Sequence, residues 1–293
     1  MKLQSNSDTE EQLQAALREI ALWESSQKDI WFWEKLGRLP FMLLDKVTPK
    51  FIQEKIGQAV DEIGSYIQTG GKYLISERSV IGRMQRNADK VAAASNAEEE
   101  QLTINDVAAM PLSVMNRSAE QLASSRSAIA TLQGATTGIG GIFTLAVDIP
   151  AVLGLSLKII QEIAICYGFD PKLKEERIFA VKVMQFASSD IVGKKAILEE
   201  LSAYDKTSRS NQMMSQLQGW REVVTVYRDN FGWKKLFQMI PIAGMLFGAF
   251  INRGMLNDVS EAATMLYRKR RIWLKLAENE ANDDDNDNGE KDS

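Results

Sequence analysis

Residues 134–171 read GATTGIGGIFTLAVDIPAVLGLSLKIIQEIAICYGFDP, and this stretch decides the fold. It is the longest apolar run in the chain, yet it holds six glycines and, near its middle, an acid (Asp148) and Pro150. Its large apolar residues recur at intervals of three and four rather than two, the period of a helix and not of a strand. A shorter apolar run, MIPIAGMLFGAFINRG at 239–254, repeats the mixture of small residues and a proline. Glycines four apart, such as Gly134 and Gly138 or Gly244 and Gly248, allow helix backbones to approach closely. The two runs are therefore expected to form a glycine-rich apolar helical pair at the centre of the domain.

Working outward, no segment alternates as a half-buried strand does, so the predicted fold class is all-α, a single multi-helix domain. Residues 9–36 carry Leu13, Leu17, Ile20 and Trp23 at helical spacing, with Asp8 or Thr9 as the cap and Glu11 or Gln12 three residues on. Gly37 and Pro40 end that segment, and Trp31-Phe32-Trp33 precedes the break. A second helix is expected from Pro49 to Gln68, stopped by Gly70-Gly71. Thr103 to Asp106 reads as another helix start, and Pro111 predicts a break near Met110. Beyond the central run, Pro171 opens a further helix. Another spans 213–230, and the last begins at Ile240-Pro241 and ends near Leu276. These boundaries divide the chain into an amphipathic, Trp-rich segment (1–40), a helical domain (41–277) and an acidic tail (278–293).

Composition narrows the chemistry. Apolar residues make up 45% and charged residues 25% of the 293, the mixture of a chain able to bury a core. The formal charge is −4, but 278–293 alone carries −7, leaving the rest near +3. The tail is expected to be disordered on that composition. There is no histidine, which removes the usual general base and the imidazole ligands of zinc, copper and iron. The single cysteine, Cys166, lies in an apolar helix end with no neighbouring cation, as an inert buried thiol does. The N-terminus lacks a basic start followed by an apolar run, so no secretory signal is expected.

The glycine cluster at 134–141 is not a phosphate loop: no strand precedes it and no Gly-Lys-Ser/Thr follows. No metal and no cofactor are expected. In Asp148-Ile149-Pro150, the proline suits the first turn of a helix restarted at Ile149, with the chain breaking at Val147. Asp148 is then the N-cap. The competing reading is functional, because an unpaired acid inside an apolar run is costly and such positions are often sites. Glu162 lies fourteen residues further on, about 21 Å along a helix, too far to act with Asp148 as a carboxylate pair. Either segment is a poor simple membrane span: Asp148 interrupts the first, and the second is short.

The run from Tyr267 to Lys275 mixes aromatics with Arg268, Lys269, Arg270, Arg271 and Lys275. Such a stretch suits anionic lipid headgroups. The plainer alternative is a solvated helix end whose cations complement the dipole. Nucleic acid is not an expected partner, since the folded part is only mildly basic.

The central stretch resembles the signature of the EcsC protein family. The resemblance rests on Thr137-Gly138, Gly141, Asp148-Ile149-Pro150-Ala151, Glu162-Ile163-Ala164 and Tyr167-Gly168-Phe169-Asp170, with IPIAGMLFGAFIN and a Tyr-Arg-Lys-Arg stretch downstream. It covers about residues 45–275. It implies a bacterial, cytoplasmic protein, named after a gene neighbouring an ABC transporter, and it carries over no catalytic residue. The expected function is that of a peripheral membrane or transport-accessory interaction protein at the inner face of the cytoplasmic membrane. Its partners would be anionic lipid or a membrane protein such as an ABC transporter. Two alternatives are a hydrolase-like enzyme that gathers Asp148, Glu162, Asp170 and Arg126, and a soluble adaptor docking through Trp31–Trp33. The non-enzymatic role is favoured.

Overall fold

Thr9 starts the first helix by the means its sequence offers. Its hydroxyl accepts the Gln12 N–H at 3.3 Å, and Gln12 Oε1 accepts the Thr9 N–H at 2.9 Å. This capping box satisfies two of the amides that a helix start leaves open. A computed structural model describes residues 8–27, 50–70, 75–91, 102–137, 142–188, 194–195, 197–199 and 255–290. The helices are α1 (Glu10–Ser26), α2 (Lys50–Thr69), α3 (Glu77–Val91), α4 (Ile104–Ala108), α5 (Leu112–Thr137), α6 (Ile142–Cys166), α7 (Lys174–Ser188) and α8 (Met255–Glu290). Among the described residues none lies in a strand.

Two helices carry the packing. α6 meets α2, α3, α4, α5, α7 and α8, and α8 in turn meets α1, α5, α6 and α7. The second half of α6 is buried on every side, from Ile159 through Tyr167 without interruption. That is how a helix hydrophobic all round is accommodated. Each fully buried Leu or Ile there contributes about 1.5–3 kcal/mol. α1 joins the same core through Leu13, Ala16 and Ile20.

The local signals set most boundaries. α2 ends at Gly70, whose φ of +77° favours glycine and whose N–H reaches Tyr66 O at 2.7 Å. Arg177 of α7 then covers the carbonyls of Ile67 (2.9 Å) and Gln68 (3.0 Å) that this end exposes. Thr103 caps α4 with Asp106 as the reciprocal partner, and the chain breaks between α4 and α5 at Pro111. The carboxylate of Asp8 accepts the Leu112 N–H at the start of α5, at 2.9 and 3.0 Å.

Three expectations fare differently. The chain does not break at Val147: α6 is one helix from Ile142, so Asp148 is not its N-cap. Inside an apolar run a break strands several N–H and C=O groups with nothing to satisfy them, whereas Pro150 in an unbroken helix costs the ladder a single bond. The last helix does not end near Leu276 either, since α8 is helical to Glu290 and the stretch read as a disordered tail begins as helix. Adding residues to an existing helix costs little, and Ala277, Glu278, Glu280 and Ala281 are good helix formers. The second member of the glycine-rich pair, 239–254, lies outside the described residues, as do Trp31–Trp33 and the helix expected at 213–230.

Candidate functional site

The most elaborate polar arrangement lies where α6 ends. Gly168 has φ +74°, the left-handed conformation that closes a helix. The Gly168 N–H bonds to Ile165 O (2.9 Å) and the Phe169 N–H to Ala164 O (3.0 Å), the paired pattern of a Schellman turn. A Cβ at position 168 would sit 2.6 Å from the Cα of Ala108, so glycine also lets α4 approach this close. Both roles follow from Tyr167-Gly168, part of the run that carries the family resemblance.

Two arginines of α8 complete the turn. Arg271 donates from Nε to Tyr167 O (2.7 Å) and from Nη2 to Gly168 O (3.0 Å). These are carbonyls the helix end leaves without partners, and the cation meets the negative end of the helix dipole. Burial lowers the Arg271 pKa from its ordinary value, yet a guanidinium remains charged. Arg270 forks onto Glu176 of α7, at 2.8 and 2.7 Å. Its guanidinium carbon lies 4.3 Å from the Phe169 ring centre and 4.1 Å from that of Phe179, so it is stacked between two rings. Tyr167 donates its hydroxyl to Asn116 Oδ1 on α5 (2.9 Å), and burial raises the phenol's pKa. Asp170 Oδ1 accepts the Lys172 N–H (2.9 Å), turning the chain toward α7.

The other cations of the basic run face α1. Arg268 pairs with Glu19 (2.9 Å) and Lys269 with Glu24 (2.8 Å). Lys275 pairs with Asp8 (2.9 Å) and also donates to Met110 O (2.8 Å). The residues that α8 turns outward in this run are instead Trp273 and Leu274, 48% and 44% exposed. The run thus differs from a solvated basic patch: its cations point inward, with Tyr267 and Ile272, while Trp273 and Leu274 point outward.

The hydrolase candidates are only partly described. Asp148 sits in the interior of α6 and Arg126 in α5, and the structure describes neither side chain. Glu162 is buried four residues before the end of α6, and its carboxylate adds to burial in raising the pKa of the wholly buried Cys166 thiol. Asp170 is occupied with the turn. Thr137 is the last residue of α5, Pro150 lies within α6, and Gly138 and Gly141 fall outside the described residues. An open cleft of about 560 Å³ beside α3, lined by Ile75, Glu77, Arg78, Ile81, Gly82 and Lys172, includes none of the four candidates. Among the described residues no group of three or more His, Cys, Asp or Glu could hold a metal. Nor is any described helix long and apolar enough to cross a membrane.

Sequence reasoning missed Glu176, Arg177, Asn116 and Ala108, whose roles depend on contacts with distant segments. Only Asp8 carried a signal, as an alternative cap, and the structure gives it a different duty.

The class defined by these features is an all-helical domain closed by arginine-capped, glycine-ended helices, with its basic run turned inward. The EcsC protein family model matches residues 14–272, and the chain belongs to that family. It is 54% identical over 273 residues to the uncharacterised protein YdbA of Bacillus subtilis strain 168, covering 93% of this chain and 97% of that protein. It is 32% identical over 165 residues to protein EcsC of the same organism, covering 56% of this chain and 67% of that protein. No solved structure matches.

Proposed function

We propose that this EcsC-family protein is a non-enzymatic interaction protein that works at the inner face of the cytoplasmic membrane as a transport accessory. The observation that carries this reading is the division of labour on α8. Five cations are gathered along about two turns, and Trp273 and Leu274 stand exposed among them. An aromatic and an aliphatic side chain projecting from a helix whose cations lie inward beneath them suit the boundary between lipid headgroups and acyl chains.

Flotation on vesicles of equimolar phosphatidylglycerol and phosphatidylethanolamine tests the reading. The full chain should rise with these vesicles, and Trp273→Ala with Leu274→Ala should leave most of it at the bottom of the gradient. A full chain that stays with the soluble fraction at low salt overturns the reading.

A further inference from the structure

The cations of α8 differ in what holds them. Arg270 and Arg271 are held by the body of the domain, through Glu176 and the carbonyls of Tyr167 and Gly168. Arg268, Lys269 and Lys275 pair with Glu19, Glu24 and Asp8, carboxylates that all come from one short segment, α1 and the residues before it, and Lys275 keeps one further bond to the body, at Met110 O. That segment also covers the body with an apolar stripe, Leu13, Ala16 and Ile20, and it is anchored at its far end by Trp23. The Trp23 ring packs 5.5 Å from that of Phe186, and its Nε1 donates to Glu261 (2.7 Å).

We propose that α1 is a displaceable cover over an anionic-lipid surface, an inference that rests on the membrane reading above. The chemistry of the exchange is symmetrical. Lipid phosphates take the places of three carboxylates on Arg268, Lys269 and Lys275, and the stripe of Leu13, Ala16 and Ile20 moves from the protein interior into the bilayer interface. An amphipathic helix whose apolar face is satisfied in either setting can change partners without leaving that face in water. With α1 closed, α8 offers an anionic bilayer two apolar side chains next to an acidic end, a weak docking surface. With α1 open, Arg268 and Lys269 lose their carboxylates and Lys275 keeps only the Met110 carbonyl, so the same helix offers three cations without a counter-charge.

Hydrogen exchange and flotation on the full chain test this together. Addition of the phosphatidylglycerol vesicles should strip protection from the amides of α1 while those of α6 stay protected. Phosphatidylcholine vesicles and inorganic phosphate should do neither. The combined variant Asp8→Asn, Glu19→Gln, Glu24→Gln should bind the anionic vesicles about tenfold more tightly, since it removes the three carboxylates that compete with lipid phosphates for Arg268, Lys269 and Lys275. The swap of Glu24→Lys with Lys269→Glu keeps a pair and should bind like the unaltered chain. If the unaltered chain binds vesicles with α1 still protected, and the triple variant binds no better, the cover is wrong while the membrane reading stands. If neither protein binds, the membrane reading fails and the cover with it. Release of α1 by inorganic phosphate alone would also overturn the lipid assignment.

Discussion

Arg270 and Arg271 sit beside Arg268 and Lys269 in one helix, yet the two pairs are embedded in opposite ways. The first two are fixed by paired or multiple contacts: a forked carboxylate between two rings, and two backbone carbonyls at a helix end. The second two each make a single ion pair, and in the outer of these the side chain of Glu19 is 58% exposed. All four are cations. What separates a structural cation from an exchangeable one is whether water can take the partner's place. For a buried charge the loss of its partner is severe, whereas for a rim pair the median worth is near zero.

Breaking the inner set should therefore have the largest effect. Arg270→Ala leaves the Glu176 carboxylate buried without its partner and opens the space between Phe169 and Phe179, so the expected loss is about 3–5 kcal/mol. Urea denaturation reads it, and a loss under about 1 kcal/mol would erase the distinction between the two sets. Gly168→Ala acts on the turn those arginines cap. The left-handed φ and the collision with Ala108 together should cost about 3 kcal/mol, seen as a lower midpoint with an unchanged denaturant slope.

The next effect belongs to a rim pair of known chemistry. Thr103→Ala removes the cap of α4 and should cost about 1 kcal/mol. The hydroxyl and the amide of Thr103 hold the Asp106 carboxyl below its ordinary pKa. The group's contribution is thus present above the unfolded carboxyl's pKa and lost as pH falls through the folded one. Thermal melts across the acid range should show a shallower decline for Thr103→Ala than for the unaltered chain. Smallest of all is Glu19→Gln, which should change stability by less than about 1 kcal/mol and only at low salt. It would sharpen the comparison by raising vesicle binding where stability hardly moves.

How much of this was legible depended on how far each cause reaches along the chain. The boxes at Thr9 and Thr103, the glycine end of α2 and the break at Pro111 are set by residues within four positions of one another, and the sequence displays them. The same local logic misplaced Asp148, because a cap-and-proline pattern does not show that the surrounding run is too apolar to tolerate a break. It also read Arg268–Lys275 as a solvated patch, since their partners lie about 90 to 270 residues away in sequence. The family resemblance found the Tyr167–Asp170 turn but said nothing of Arg271, which gives that turn its closure.

One atom in this region offers a use of another kind. The chain has a single sulfhydryl, on Cys166, wholly enclosed one residue before the α6 turn, with its ionisation suppressed first by burial and then by Glu162. A thiol-directed label can reach it only while that end of the helix is open, and no second cysteine contributes background. The rate of labelling is then a clock for the opening of the turn that joins α4, α6 and α8, and the native chain carries it without any engineering.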